Sequence, residues 1–301
     1  AGDGETWLLG EQALRAGVMA GHEREGDNIT IDLIETDDVV PDILSAYHAA
    51  SSEYDLIIGP LARSAVTALA QSKETSKPTL LLGQPESNSL PANLLAIGLS
   101  MDDEARQLAL LAAGSKTAGK CLILSTNATW QRRAARAFAN QWSTQDTTVL
   151  ELVSSGGYLS ASSVKQLKSR LQTDKPNVIF IALDADQTRQ IRPLLPADIR
   201  LYGSSQLNVG KTNLQETEIA EVNTLPEGMH ILDLPWQLQP DHSAVMIYPR
   251  LVPEHSADLE RLYALGIDAF RIAREIGLNR QSRFKLDGVT GRLSIQFGQG
   301  G

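Results

Sequence analysis

The sequence predicts an α/β protein with two lobes, each built on a parallel sheet flanked by helices. Its 301 residues correspond to about two domains at roughly 150 residues per domain. Hydrophobic residues make up 42% of the chain and charged residues 21%, a composition that can bury a sizeable core. Short apolar runs alternate with amphipathic stretches nearly from end to end, which is typical of right-handed βαβ units. Because about four such units lie on each side of Ser100, two sheets accommodate them better than one.

The predicted elements follow one another in a regular order. Strands are predicted at 29–34, 56–58, 79–82, 121–124, 148–152, 178–183, 201–202 and 229–232. Several of these runs are continuously apolar, as expected of parallel strands that are covered on both faces. Helices are predicted at 11–20, 43–50, 61–70, 104–113, 130–142, 164–171, 185–195 and 257–276. A final hairpin is predicted at 284–295, because Gly288 and Gly291 occupy turn positions.

Charge and cysteine content exclude several classes of protein. The formal net charge is -9 and neither sign forms a long block, which argues against a nucleic-acid partner. No apolar run approaches the ~20 residues needed to cross a bilayer. The single cysteine, Cys121, cannot form an intrachain disulfide. The five histidines have no i, i+4 or H-E-x-x-H spacing, so no metal site is expected.

The catalytic motifs that occur are incomplete. Ser162 and Lys165 fit the S-x-x-K pattern of acyl-serine enzymes, but the chain has neither the S-D-N nor the K-T-G triplet that this chemistry also needs. A complete phosphate-binding P-loop and a G-x-S-x-G elbow are also absent from the sequence. We therefore expect a protein that is not an enzyme and that needs no cofactor.

Polar residues follow the predicted strands at the positions where ligands bind in parallel α/β sheets, beyond the carboxyl ends of the strands. If the loops of the two lobes face one another, they would line an interlobe cleft, which is a favoured place for small ligands. Each residue also fits an ordinary helix cap or turn. The candidate binding residues are Arg63, Ser64, Gln84, Asn127, Asp184, Ser204, Ser205 and Trp236.

Several stretches resemble a known family. The run Leu-Ile-Ile-Gly-Pro-Leu at 56–61 is similar to the third βα unit of the type I periplasmic-binding-protein fold. Within that fold, the chain resembles the LppC/LpoA family of outer-membrane lipoproteins, which activate penicillin-binding proteins in peptidoglycan synthesis. The resemblance covers almost all of the chain, and its most specific stretches are 98–106, 130–142, 233–236, 261–270 and 286–293.

The resemblance implies three crossovers between discontinuous lobes, one formed by 1–99 and 233–279 and the other by 100–232 and 280–301. The family begins with a strand, whereas residues 1–5 look like a polar loop that leads into a helix, so we expect the opening strand upstream of Ala1. The N-terminal lipidated cysteine and the helical-repeat domain of longer members have no counterpart in this sequence. Arg63 also departs from the hydroxyl-rich loop of amino-acid receptors; it could bind a carboxylate or fill the cleft.

Two functions follow as expectations. The first is a periplasmic module, anchored to the outer membrane in the full-length protein by an N-terminal lipid, which regulates peptidoglycan synthesis by contacting a penicillin-binding protein. The second is a periplasmic receptor for an amino acid, a peptide or a similar small polar ligand.

Overall fold

The computed structural model of the chain describes residues 2–37, 39–72, 75–86, 90–114, 119–142, 146–209, 228–251 and 256–298, with the backbone alone for 2–8. It divides into two compact units. Unit 1 consists of Ala1–Leu99 with Leu234–Gly301, and unit 2 of Ser100–Asp233. Within the described ranges, no helix combines the length and the apolar character that a membrane span requires.

Helices and strands alternate along most of the chain, as the sequence predicts. The helices are α1 (Gly2–Glu25), α2 (Val40–Glu53), α3 (Arg63–Gln71), α4 (Met101–Ala113), α5 (Thr129–Trp142), α6 (Ala161–Asp174), α7 (Ala185–Ile191), α8 (Pro235–Leu238) and α9 (Ala257–Gly277). The strands are β1 (Ile57–Ile58), β2 (Thr79–Leu81), β3 (Leu94–Ala96), β4 (Cys121–Ser125), β5 (Thr147–Glu151), β6 (Ser154–Ser155), β7 (Tyr158–Leu159), β8 (Val178–Ala182), β9 (Arg200–Gly203), β10 (Met229–Ile231), β11 (Arg283–Asp287) and β12 (Arg292–Gln296).

Unit 2 is built on a parallel sheet with the strand order β10-β9-β8-β4-β5. All residues of β4 and β8 are buried, because helices cover both faces of the sheet. Cys121 and Ile123 pack into the core on one face, and Leu122 and Leu124 into the core on the other. This alternation explains why a continuous apolar run at 121–124 forms a central strand. The α/β class with parallel sheets is confirmed.

Unit 1 has a parallel sheet with the order β1-β2-β3 and an antiparallel hairpin, β11–β12. Helices α1 and α9 pack directly against each other at two glycines. A Cβ atom added at Gly17 would overlap the carbonyl oxygen of Tyr263, and one added at Gly266 would overlap the carbonyl oxygen of Leu14. The two backbones can approach this closely only because neither residue has a side chain.

The strand predicted at 29–34 is wrong. The segment has no strand partner, and Leu33 and Ile34 are each 49% exposed. Its β-branched composition favours extended backbone, but a strand is held by hydrogen bonds to a neighbour, and in the described part of unit 1 the sheet ends at β1. Conversely, the short strand β3 (Leu94–Ala96) was not predicted.

The placement of 280–301 in the second lobe is also wrong. Ile295 of the hairpin packs into the same core as Leu80 of β2 and Ala269 of α9, with Phe284 and Leu286 against it. The hairpin therefore belongs to unit 1, and the chain passes between the units after Leu99 and after Asp233 rather than three times.

Candidate functional site

Polar side chains at the carboxyl ends of the unit 2 strands form a buried chain of hydrogen bonds. Thr126 N donates to Gln131 Oε1 at 2.8 Å, and Gln131 Nε2 donates to Gln187 Oε1, also at 2.8 Å. Gln187 Nε2 in turn donates to Ser154 Oγ at 3.3 Å. Both glutamines are buried. These hydrogen bonds thus join the segments that follow β4, β5 and β8 and fix their positions.

Asp184, a predicted binding residue, is the N-cap of α7. Its Oδ1 accepts a hydrogen bond from Gln187 N at 2.7 Å, and Gln187 Oε1 accepts one from Asp184 N at 3.3 Å. This reciprocal capping box satisfies backbone donors at the start of the helix. Asn127, which precedes α5, is exposed.

The two serines after β9 are buried. Ser205 donates from its backbone N to Glu104 Oε2 and from its Oγ to Glu104 Oε1, both at 2.9 Å, and so fastens the loop to α4. The Ser204 hydroxyl is fully buried and has no hydrogen-bond partner in the described part of the chain. Nearby in sequence, Asn208 Nδ2 donates to Asp233 Oδ2 at 2.8 Å. These contacts are internal and stabilise unit 2.

In unit 1, Arg63 is the first residue of α3 and is exposed, as are Ser64 and Gln84. Arg63 Nε lies 3.7 Å from Glu86 Oε1, and Glu86 N donates to Thr67 Oγ1 at 3.2 Å. A carboxylate of the chain itself therefore lies beside this guanidinium. Because both side chains are exposed, the ion pair contributes little to stability.

Trp236 is fully buried and is a packing residue, in place of the ligand contact that the sequence predicts. Its Nε1 donates to Glu260 Oε2 at 2.5 Å, and the Arg250 guanidinium lies 4.1 Å from the centre of the ring. Tyr263 packs at 5.4 Å between ring centres. The indole needs a polar partner when it is buried, and the chain supplies that partner from α9.

A buried carboxylate in α9 is not among the site residues that the sequence predicts. Asp268 is fully buried; its Oδ2 accepts hydrogen bonds from Thr290 N at 2.8 Å and Thr290 Oγ1 at 2.6 Å, and its Oδ1 accepts one from Val289 N at 3.1 Å. Arg271 Nη1 lies 3.3 Å from Oδ1. Burial raises the pKa of Asp268, while the contacts with Thr290, Arg271 and Val289 act in the opposite direction.

The signal for this contact was present in the sequence. The stretches 261–270 and 286–293 are among those that resemble the LppC/LpoA family, and the structure brings them together through Asp268 and the turn between β11 and β12. A Cβ atom at Gly288 would overlap the Asp268 carboxylate, which explains the glycine at that turn. The contact between these two stretches holds the hairpin against α9.

In a comparison with protein-family models, the chain matches "LppC putative lipoprotein" over residues 3–299. This chain belongs to the LppC family. The matched residues include both stretches joined by Asp268.

The LppC chain is similar to two relatives called penicillin-binding protein activator LpoA. The one from Aliivibrio fischeri is 23% identical over 276 residues, which cover 81% of this chain and 44% of that protein. The one from Vibrio cholerae is 24% identical over 328 residues, which cover 94% of this chain and 51% of that protein. The chain thus spans about half the length of these relatives.

Solved structures show the same fold. The C-domain of LpoA from Haemophilus influenzae, described as a regulator of PBP1A, has a TM-score of 0.74 at 18% identity and covers 99% of this chain and 91% of its own. A protein from Chromobacterium violaceum, described as "a putative branched-chain amino acid ABC transporter", has a TM-score of 0.75 at 28% identity. The match covers 97% of this chain and 94% of that chain. The LppC chain therefore has the fold shared by LpoA C-domains and periplasmic-binding-protein-like proteins.

Across the described ranges, no group of three or more His, Cys, Asp and Glu residues is arranged to hold a metal ion. Cys121 lies in β4, where burial raises the pKa of its thiol to about 12.

We expect Cys121 to be nearly inert in the folded chain. A thiol with a pKa of about 12 has on the order of a thousandth of the thiolate that an unfolded cysteine has at pH 8, and the thiolate is the reactive species. Labelling with a chromogenic disulfide reagent at pH 8 should be at least ~100-fold slower in buffer than in guanidinium chloride. Equal rates would contradict the placement of Cys121 in the core.

We expect Gln131→Leu to destabilise unit 2 by about 1–3 kcal/mol, because Thr126 N and Gln187 lose a buried partner. Gln166→Leu on the exposed face of α6 is the matched control and should change the free energy of unfolding by less than ~0.5 kcal/mol. Urea denaturation followed by circular dichroism compares them. Equal urea midpoints for the two variants would show that the hydrogen bonds of Gln131 do not hold the loops.

Proposed function

We propose that this LppC chain regulates peptidoglycan synthesis by contacting a penicillin-binding protein, without catalysing a reaction itself. The observation that carries the proposal is the family match over residues 3–299, together with relatives named as penicillin-binding protein activators. The geometry supports it: Asp184, Ser205 and Trp236 make internal contacts that hold the fold. A protein whose strand-end residues are engaged in this way can act through its outer surface.

We also propose that the chain works in the periplasm, tethered to the outer membrane through a lipidated cysteine outside these 301 residues. The family description as a lipoprotein supports the tether. Cys121 is unsuited to carry a lipid because it is buried in a central strand.

The experiment that tests the contact is a surface-binding titration. The 301-residue chain and the full-length lipoprotein would each be titrated against the immobilised periplasmic region of a PBP1A-type penicillin-binding protein from the same organism. We expect saturable binding by both. Absence of binding by the full-length lipoprotein would overturn the proposed function.

A second candidate is a receptor for a small polar solute, favoured by the similarity to the Chromobacterium protein. The predicted binding residues that are exposed are Arg63, Ser64 and Gln84 in unit 1 and Asn127 in unit 2. A ligand at about 100 times its Kd should stabilise the chain by ~2.7 kcal/mol, so thermal-shift screening tests it. If no amino acid, peptide or muropeptide shifts the Tm, this candidate is wrong.

A further inference from the structure

The end strand of the unit 2 sheet has an open backbone edge. In the sheet order β10-β9-β8-β4-β5, the described residues place no strand beyond β5. Cys121 N donates to Asp146 O and Leu152 N donates to Ser125 O, so the even-numbered residues bond to β4. Since backbone groups alternate in direction along a strand, the N–H and C=O groups of Val149 and Glu151 point outward from the edge, away from β4.

Apolar side chains are exposed in β5 and in the residues that follow it. Val149 is 52% exposed, Val153 is 64% exposed and Tyr158, in the short hairpin β6–β7, is 75% exposed. Residues 149 and 153 lie on one face because side chains alternate along extended backbone. An open edge with exposed valines is an aggregation hazard that proteins normally cover or charge.

The exposed tyrosine is held in a fixed hairpin. Leu159 N donates to Gln190 Oε1, and Gln190 Nε2 donates to Gly157 O, both at 2.9 Å. Val153 N donates to Ser163 Oγ at 2.7 Å and fixes the approach to the hairpin. A pre-ordered aromatic residue loses little conformational freedom on binding and is a typical interface anchor.

The helices beside β5 are basic, although the whole chain is acidic. Residues 129–174, which include α5, β5 and α6, contain six Arg and Lys against three Asp and Glu, a net charge of +3 in a chain of net charge -9. Arg132 pairs with Glu151 of β5. Arg136 is exposed one turn further along the same helix face, and Lys165 is exposed in the first turns of α6.

We propose that β5 accepts an extended, acidic strand of the penicillin-binding protein, which extends the sheet of unit 2 by strand addition. The proposal rests on the proposed function and names the surface that performs it. Backbone hydrogen bonds to Val149 and Glu151 fix the register of the added strand relative to β5, and apolar residues of that strand cover Val149 and Val153. Its carboxylates lie toward Arg136 and Lys165, which is why an acidic strand fits better than a basic one.

The test uses the same titration with variants of the edge. Val149→Pro removes an outward backbone donor, Val153→Glu places a negative charge on the edge, and Arg136→Glu reverses a flanking charge. Each is expected to weaken binding at least tenfold. Leu111→Glu is the matched control: Leu111 is 58% exposed on α4 of the same unit, and its replacement should leave the Kd unchanged. Circular dichroism verifies folding, and Val153→Glu keeps the test valid if Val149→Pro does not fold.

The outcomes separate the two proposals. If the wild-type chain binds and the three edge variants bind equally well, the docking surface is wrong and the proposed function stands. If the wild-type lipoprotein does not bind, the proposed function fails and the docking surface falls with it. If sedimentation shows that the chain alone forms dimers that Val153→Glu dissociates, the edge serves self-association and the proposed occupant is wrong.

Discussion

Replacing Gly266 with alanine is expected to lower the free energy of unfolding of unit 1 by about 2–3 kcal/mol. The added methyl group would overlap the carbonyl oxygen of Leu14 and lie 2.9 Å from Val18 N and 3.0 Å from Gly17 Cα. All three contacts are with backbone atoms of α1, so no side chain can rotate away. Helices α1 and α9 would have to separate along their contact, which loosens the core around α9.

The same helix supplies the control. Gly277, the last residue of α9, is exposed, and a Cβ atom there would meet only the Leu56 side chain, at ordinary distances of 3.5 Å from Cδ1 and 3.8 Å from Cβ. Gly277→Ala should therefore be neutral or slightly stabilising, because alanine has the higher helix propensity. Urea denaturation with circular dichroism measures both variants. If Gly266→Ala unfolded at the same urea concentration as Gly277→Ala, the close approach of α1 and α9 would be refuted.

Some elements of the fold could be predicted because a local pattern determines them. The run at 121–124 has no polar residue on either face, and this requires cover on both sides, which the structure provides. The segment at 29–34 has the same β-branched character but no strand partner. Strand pairing depends on a neighbour that a local pattern does not reveal.

The candidate site was harder to predict for the same reason. Trp236 follows a strand and looks like a ligand contact, but Glu260, 24 residues further on, accepts its hydrogen bond inside the core. Ser205 was chosen for its position after β9, and its partner Glu104 lies 101 residues earlier. Position after a strand predicts where a residue lies; which polar partner it finds depends on contacts distant in sequence.

The sequence around Asp268 indicates that this residue needs a partner inside the core. It is a single acidic residue within the otherwise apolar stretch from Tyr263 to Phe270. A carboxylate on the buried face of a helix must be paired or hydrogen-bonded, so the sequence alone requires a partner for it. The identity of that partner, the turn at Val289 and Thr290, needed the structure.

Replacing Asp268 with asparagine is expected to destabilise unit 1 by about 3 kcal/mol. Both carboxylate oxygens accept hydrogen bonds, Oδ2 from Thr290 and Oδ1 from Val289 and Arg271. An amide has one acceptor oxygen and one donor nitrogen. In either orientation its NH₂ group would face donors in a site that excludes water, and at least one backbone or side-chain donor would lose its partner.

Asp287→Asn is the matched control: it makes the same chemical change in β11, on the hairpin that Asp268 contacts. Asp287 is 55% exposed and lies 3.6 Å from His242 Nε2 and 4.0 Å from Arg292 Nε. Exposed ion pairs of this kind contribute less than ~1 kcal/mol. Denaturation by urea should therefore shift strongly for Asp268→Asn and little for Asp287→Asn; equal shifts would show that the buried carboxylate does not hold the hairpin.

The stability difference between the wild type and Asp268→Asn depends on pH in a way that follows from the direction of the Asp268 pKa shift. Burial raises the pKa of Asp268 above that of the unfolded chain, so the folded state binds this proton more tightly. The stability that this linkage supplies is fully present below the unfolded pKa of about 4 and is lost as the pH rises through the folded pKa. The difference in unfolding free energy between wild type and Asp268→Asn should therefore be larger at pH 4.5 than at pH 7.5. A difference that grew with pH would mean that the contacts with Thr290, Arg271 and Val289 outweigh burial and lower the pKa instead.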